Sequence, residues 1–203
     1  MKKTKKIAAM LLAAALLVTT SIAGTMAYLT SKTDIVVNTF TAGKVAFDTE
    51  GALDEAKVDE YGVLDASAQR VTANTYKLIP GHKYVKDPTV HMSDDTEDAY
   101  LFINVNNGIC NIEKEGENTI EKQILANGWK PLEGNLGVYY LEAKAEAGKD
   151  YVVFKNFEIA TDAAVENYTD AEITVEAYAI QAESFESAEK AWEEVPLKAW
   201  ENA

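Results

Sequence analysis

Apolar and polar residues alternate along most of this chain, a pattern typical of β-strands with one buried face. Within residues 100–106, Phe102 lies on one face, and the opposite face carries Leu101, Ile103 and Val105. A longer run near the C-terminus exposes Thr174 and Glu176, and its apolar face carries Ile173, Val175, Ala177 and Ala179. β-Branched and aromatic residues fit such a pleated, half-buried surface. The pattern therefore predicts a strand in each of these two places.

Shorter alternating runs predict further strands at residues 45–47, 76–78, 84–92 and 152–159. The Ile-Pro-Gly-His sequence at residues 79–82 predicts a type II turn, because Pro presets the first central φ and Gly accepts a positive φ at the second. Pro88 has no N–H for a sheet ladder, so we expect its strand to lie at an edge or to contain a bulge.

Two stretches depart from this alternation. Residues 49–69 are acidic and poor in large apolar side chains, and we expect an insertion loop there, with room for a short helix. Residues 184–200 predict a helix with Ser187 as its N-cap. Its apolar positions at helical spacing are Ala188, Ala191, Trp192 and Val195. Pro196 is expected to end it.

Short strands separated by turns, with one helix at the C-terminus, predict an all-β fold. The expected architecture is a jelly-roll-like antiparallel β-sandwich with a C-terminal helix. We expect one domain over residues 28–203, which is long enough to bury a substantial core.

The N-terminal region predicts an export signal, a cleaved helix over residues 1–27. Four lysines precede an uncharged apolar run from Ile7 to Val18, and small residues follow at Thr25 and Ala27. We expect cleavage between Ala27 and Tyr28, with a cut after Ala23 as the alternative. A retained membrane anchor is less consistent with the pattern, because the apolar run is shorter than the roughly 20 residues that span a bilayer.

The charge of the chain limits its partners. The net charge is −14, and the expected signal contains four of the 19 Lys and Arg residues but none of the 33 Asp and Glu residues. Removing the signal therefore makes the charge still more negative. Nucleic-acid binders neutralise phosphates with Lys and Arg, so we expect no nucleic-acid partner, and no membrane partner after processing.

The sequence contains no recognisable catalytic motif, metal motif or cofactor motif, and we expect no enzymatic activity and no cofactor. It has no His-Glu-x-x-His zinc motif, and the two histidines, His82 and His91, are expected to be solvated. Residues 94–98 are densely acidic and could hold Ca²⁺, but a solvated loop is the simpler interpretation.

The single cysteine and the three tryptophans are also given structural interpretations. Cys110 has apolar neighbours, and we expect a buried small side chain rather than a nucleophile or an intermolecular disulfide. Trp129, Trp192 and Trp200 could form a platform for carbohydrate, but anchoring in the core is the simpler expectation.

Several short motifs resemble the TasA/CalY (camelysin) family of exported matrix proteins. They are Gly-Thr-Met-Ala-Tyr at residues 24–28, Asn-Thr-Phe-Thr-Ala-Gly-Lys-Val at 38–45, Leu-Ile-Pro-Gly at 78–81, Asp-Ala-Tyr-Leu at 98–101 and Ala-Tyr-Ala-Ile-Gln-Ala at 177–182. The resemblance implies a jelly-roll protein of Gram-positive bacteria, processed by a SipW-type signal peptidase. It also implies secretion to the cell surface and self-assembly into extracellular fibres of the biofilm matrix.

The N-terminal segment of the mature chain is compatible with assembly by strand addition. Residues 28–37 are apolar at Tyr28, Leu29, Ile35, Val36 and Val37 and have no obvious hairpin partner. Such a donor strand gains affinity from main-chain hydrogen bonds to a neighbour. The alternatives are a disordered terminus or a first strand that pairs with its own sheet. At the level of function, the alternatives are a camelysin-like secreted metallopeptidase and a monomeric surface-binding module.

Overall fold

The computed structural model describes residues Thr30–Lys32 and 44–194, and these residues form antiparallel sheets. One sheet has five strands in the order β1 (Thr30–Lys32), β11 (Ile173–Gln181), β6 (Ala99–Asn107), β8 (Val138–Leu141) and β7 (Trp129–Pro131). β6 and β11 pair along nine residues, from Ile173 opposite Asn107 to Gln181 opposite Ala99. The two strands predicted from alternation are therefore confirmed, and they lie side by side.

A second layer is made of shorter strands. Four of them follow the order β3 (Arg70–Val71), β2 (Leu53–Ala56), β5 (Thr89–His91) and β9 (Asp150–Val152). Two more strands, β4 (Lys83–Val85) and β10 (Asn156–Glu158), pair with each other. All pairings in both layers are antiparallel.

The core lies between these layers. The five-stranded sheet contributes Leu101, Ile103, Val105, Ala177 and Ala179, which are the inward positions of β6 and β11. The facing side contributes Phe47, Tyr84, Val90, Met92 and Phe157. Burial of both apolar faces against each other is what drives the two layers together. The prediction of an all-β antiparallel sandwich is confirmed.

Helix α1 (Ile120–Ala126) was not predicted from the sequence. The Thr119 side chain accepts from the Lys122 N–H at its N-terminus, and Ile120 and Ile124 are buried. The chain then enters β7 through Trp129, which is 1 % exposed and donates from Nε1 to the Val152 carbonyl at 3.1 Å. Core anchoring is thus confirmed for this tryptophan.

The predicted C-terminal helix is present as α2 (Ala188–Glu194). Ser187 precedes it, and the Ser187 Oγ accepts from the Lys190 N–H at 3.3 Å. The helix lies on the outer face of the five-stranded sheet, where Trp192 packs on Phe102 with ring centroids 5.1 Å apart. Pro196 and Trp200 lie outside the described residues.

Residues 49–69 correct the expectation of an acidic insertion loop. They contain β2, which is an inner strand of the four-stranded sheet, and no helix. The acidic residues of β2 are compatible with a strand because basic side chains from other parts of the chain neutralise them. Residues 57–69 form turns held by a bridge between Val58 and Leu64.

Three predicted strands are interrupted or absent. Residues 45–47 contribute only the bridge from Phe47 to Met92. Residues 76–78 pair with no strand, although Tyr76 and Leu78 pack against the core. The 152–159 run is broken into the end of β9 and β10.

The run around Pro88 is also divided. β4 precedes Pro88 and pairs with β10, whereas β5 follows it and pairs with β2 and β9. Pro88 has no N–H to donate, but its carbonyl accepts from the Val153 N–H at 2.8 Å. The predicted turn at residues 79–82 is present, with a hydrogen bond from the His82 N–H to the Ile79 carbonyl at 3.1 Å and Gly81 at φ +76°.

Candidate functional site

The candidate assembly strand borders the five-stranded sheet. Thr30, Ser31 and Lys32 pair antiparallel with Ile180, Ala179 and Tyr178 of β11. β1 is the last described strand on this side, so β11 separates it from the middle of the sheet. The central part of the N-terminal segment therefore lies on its own sheet, as one of the sequence-based alternatives expected.

Six other residues are assigned to processing and assembly by the sequence. Ala27, Tyr28 and Leu29 lie outside the described residues, and so do Ile35, Val36 and Val37. The predicted signal helix and its cleavage site also lie outside the described residues. The geometry of the candidate assembly site therefore rests on the pairing of β1 with β11.

The acceptor side of this pairing is well anchored in the protein. Ala179 and Ala177 are fully buried on the inner face of β11, and Ile180 is buried on the outer face beneath α2. The end of β11 is further held by Gln181, whose side chain donates to Glu97, and by the Ala182 N–H, which donates to the Asp98 carbonyl at 2.9 Å. β11 thus offers a fixed main-chain ladder to the strand beside it.

His91 is not a solvated histidine, contrary to the sequence-based expectation. Its side chain is 17 % exposed and lies between two carboxylates. Nε2 is 2.9 Å from Asp54 Oδ1, and Nδ1 is 2.6 Å from Asp150 Oδ1. Burial alone would lower the pKa of His91, but the hydrogen bonds with Asp54 and Asp150 outweigh it and raise the pKa. His91 thus links β2, β5 and β9.

Arg70 extends this charged group to β3. Its guanidinium donates from Nε to Asp54 and from Nη1 to Asp87 Oδ2 at 3.1 Å. Nη2 also donates to the carbonyls of Asp54 and Asp87. One arginine therefore connects the edge strand of the second sheet to two separate parts of the chain.

A second polar group lies deeper in the protein. Glu55 is 3 % exposed and Lys86 is 9 % exposed, and Glu55 Oε2 is 2.5 Å from Lys86 Nζ. The other carboxylate oxygen, Oε1, accepts from Asn74 Nδ2 at 2.9 Å. The sequence analysis assigned no site to these three residues, and Asn74 and Lys86 are 19 and 31 positions away from Glu55 along the chain.

The acidic residues 94–98 form a turn rather than an ion-binding cage. Asp95 accepts from Lys44 and from the Ser93 hydroxyl, and its pKa is lowered by these hydrogen bonds. Thr96 is buried and accepts from the Ala46 N–H at 3.0 Å. Across the described part of the chain, no group of three or more His, Cys, Asp or Glu side chains is arranged to hold a metal ion.

Cys110 is exposed, which corrects the expectation of a buried side chain. It lies in a turn where its neighbours Ile109 and Ile112 are buried instead. His82 is partly buried, and its Nε2 lies 2.9 Å from the Tyr61 carbonyl. Among the described residues, neither Cys110 nor His82 contacts a group of side chains arranged for catalysis.

Among residues 30–32 and 44–194, no helix is both long and apolar enough to cross a bilayer. Comparisons of this chain with families of known proteins, with curated proteins and with solved structures found no match.

Proposed function

We propose that this chain is a secreted, non-enzymatic structural protein of the TasA/CalY type. It acts at the cell surface, where copies of the chain assemble into extracellular fibres of a biofilm matrix. Each copy adds its N-terminal strand to β11 of the next copy, after a SipW-type signal peptidase has freed that strand.

The pairing of β1 with β11 is the observation that carries this proposal. Its described extent is three residue pairs at one side of a sheet. The same main-chain hydrogen bonds can form between copies, so exchange of an identical strand requires little new interaction energy. A strand passed from each copy to the next makes a head-to-tail contact, which yields filaments when it does not close into a ring.

The position of this strand in the sequence gives further support. It follows directly after the predicted export signal, so cleavage next to Tyr28 would leave it at the free N-terminus. The resemblance of residues 24–28 and 38–45 to TasA/CalY proteins has the same implication. The strong negative charge favours solubility of the free subunit before assembly.

Electron microscopy of the purified mature protein tests the proposal. We expect the secreted protein to begin at Tyr28 by N-terminal sequencing and to form filaments above a threshold concentration, because assembly must offset the lost freedom of each subunit. Deleting residues 28–33 should leave a folded monomer that forms no filaments.

A matched pair of point variants separates strand pairing from chain length. Ser31→Pro removes a main-chain donor and access to the φ of about −140° that an antiparallel strand adopts, and should block filaments. Ser31→Ala keeps both and should assemble normally.

Filaments of ordinary abundance from the deletion variant would contradict the mechanism. A monomer that shifts its tryptophan fluorescence with a glycan would favour a surface-binding module, and chelator-sensitive proteolysis restored by zinc would favour a metallopeptidase.

A further inference from the structure

Three side chains that could react with one another meet beside β2, and two of them are buried while the third is half-buried. They are Lys86, Glu55 and Asn74, which we call the Lys-Glu-Asn triad. Glu55 is in the middle, because one of its carboxylate oxygens contacts the lysine amine and the other contacts the asparagine amide. The amine and the amide therefore contact the two oxygens of a single carboxylate.

The asparagine side chain is fixed in one orientation. Its Nδ2 donates to Glu55 and also to the Ala56 carbonyl at 2.9 Å, and its Oδ1 accepts from the Val58 N–H at 3.0 Å. The flipped orientation would set donors against donors. The Val58 N–H consequently points at the carbonyl oxygen of Asn74, which polarises that carbonyl.

The triad is shielded by aromatic rings. Lys86 Nζ lies 5.9 Å from the centre of the Tyr76 ring. The Tyr76 ring packs in turn against Tyr84 at 5.7 Å and against Phe157 at 5.3 Å. Taking a carboxylate and an ammonium out of water is costly, and their attraction alone often fails to compensate. The cost of burying this pair suggests that the two side chains have a chemical role.

We propose that Lys86 and Asn74 become joined by an intramolecular amide bond, with Glu55 as the acid and base that carries the protons. In the first step of this reaction, a proton passes along the 2.5 Å hydrogen bond from the Lys86 ammonium to Glu55 Oε2. The neutral amine then has a free electron pair and can act as a nucleophile.

The reaction balances without any further reagent. Nζ of Lys86 attacks Cγ of Asn74, and the carbonyl electrons move to Oδ1, where the Val58 N–H stabilises the negative charge. The Cγ–Nδ2 bond breaks as Glu55 returns its proton to Nδ2. The second proton of the lysine nitrogen passes through Glu55 to the leaving ammonia, so an ammonium plus an amide become a substituted amide plus one ammonium ion. No atom changes its oxidation state.

The folded protein would speed this reaction because it already holds the reacting side chains in place. Well-oriented neighbouring groups react as if present at very high concentration, roughly 10⁵ M or more. Here both nitrogens already contact the same carboxylate, and the acceptor carbonyl already has its donor. The bond would tie residues 74 and 86 together and enclose the turn at residues 79–82. It needs only the folded chain and does not depend on fibre formation.

Mass spectrometry of the purified, folded protein tests this proposal. We expect the intact mass to be lower than the sequence mass by one ammonia molecule. Trypsin should fail to cleave the peptide bond between Lys86 and Asp87. Residues 71–77 should be recovered covalently linked to residues 84–114, and fragmentation should place the link between Asn74 and Lys86.

The linked peptide is needed because loss of ammonia has another source. Asn107-Gly108 and Asn127-Gly128 can each lose ammonia by forming a succinimide. Lys86→Arg keeps a positive charge beside Glu55 but cannot form this bond. This variant should therefore lose no ammonia at the triad. Glu55→Gln keeps the size of the side chain and removes the proton carrier, and it should also lack the link.

Lys114→Arg is the matched control for the lysine variant. Lys114 also contacts a glutamate, Glu158, at 2.7 Å, but this pair is exposed and has no asparagine on the same carboxylate. The control should retain the link at Lys86. A folded wild-type protein with the full mass, or one that loses ammonia without the linked peptide, would overturn the proposal.

Discussion

Asp54 and Glu55 are neighbours in β2, and their carboxylates are engaged with different partners. Successive side chains of a strand point to opposite faces. Asp54 contacts Arg70 and His91, whereas Glu55 contacts Lys86 and Asn74. Each carboxylate thereby ties β2 to a different part of the chain, and the acidic sequence of this strand is a structural requirement rather than a mark of solvation.

We expect the protonation of His91 to make stability depend on pH. The folded-state pKa of His91 is raised above its ordinary value of 6.5 by Asp54 and Asp150. A raised folded pKa stabilises the protein fully below the unfolded pKa, and this contribution is lost as the pH rises through the folded pKa. Denaturant unfolding of the wild type should therefore show falling stability from pH 6.5 upward.

His91→Gln is the variant that isolates this effect. It keeps a donor between the strands but cannot gain a charge, so its stability should be flatter over the same pH range. His82→Gln is the control, because the Nε2 of His82 lies against the Tyr61 carbonyl rather than a carboxylate. A wild type and a His91→Gln variant with parallel pH profiles would contradict this assignment.

At the level of elements, alternation identified β6 and β11 because both are long and have one consistently apolar face. It could not identify β2, since a strand whose charges are neutralised by residues 16 to 37 positions away looks like a polar loop in the sequence. α1 was missed because seven residues give only two helical turns of pattern. Residues 76–78 have the side-chain alternation of a strand, but alternation reports which way side chains face and not whether a neighbouring strand exists.

The docking of α2 can be measured through Trp192. A fully buried tryptophan replaced by alanine costs about 3–5 kcal/mol. Trp192 is only partly buried on Phe102, so we expect Trp192→Ala to lower the free energy of unfolding by about 1–3 kcal/mol. Denaturant unfolding with an unchanged slope would report this loss.

The control for this variant is Glu193→Ala in the same helix. Glu193 pairs with Lys190, and both side chains are exposed. Surface changes of this kind usually alter stability by about 0.5 kcal/mol or less. If Trp192→Ala were equally mild, the helix would not be held on the sheet by this side chain.

For the whole molecule, the sheet order decides which strand can be exchanged. β1 lies beside β11 at the side of the five-stranded sheet, whereas β11 and β6 are joined along nine residue pairs. A short strand at the side of a sheet can be replaced without breaking the pairing within it. The sequence predicts a strand in the N-terminal segment but does not identify β11 as its neighbour, because strand partners are set by packing across distant parts of the chain.

A pair of cysteines at register partners can distinguish strand exchange from a strand that stays on its own sheet. Ser31 lies opposite Ala179, and directly paired residues in an antiparallel ladder are within the distance that a disulfide spans. Both are changed to Cys in a Cys110→Ser background, because Cys110 is exposed. If the monomer is oxidised before assembly, the disulfide locks β1 onto its own β11. We expect this locked protein to form no filaments and to form them after reduction.

Mixing the two single variants, Ser31→Cys and Ala179→Cys, provides the converse measurement. A disulfide can then form only between copies, so strand exchange predicts covalent dimers that appear with filaments and are absent from the dilute monomer. A covalent dimer that joins one copy of each variant requires position 31 of one subunit to lie beside position 179 of another, which ties this species to the register of β1 rather than to contact in general. Filaments assembled from fully locked double-variant monomers would show that β1 remains on its own sheet and that subunits associate through another surface.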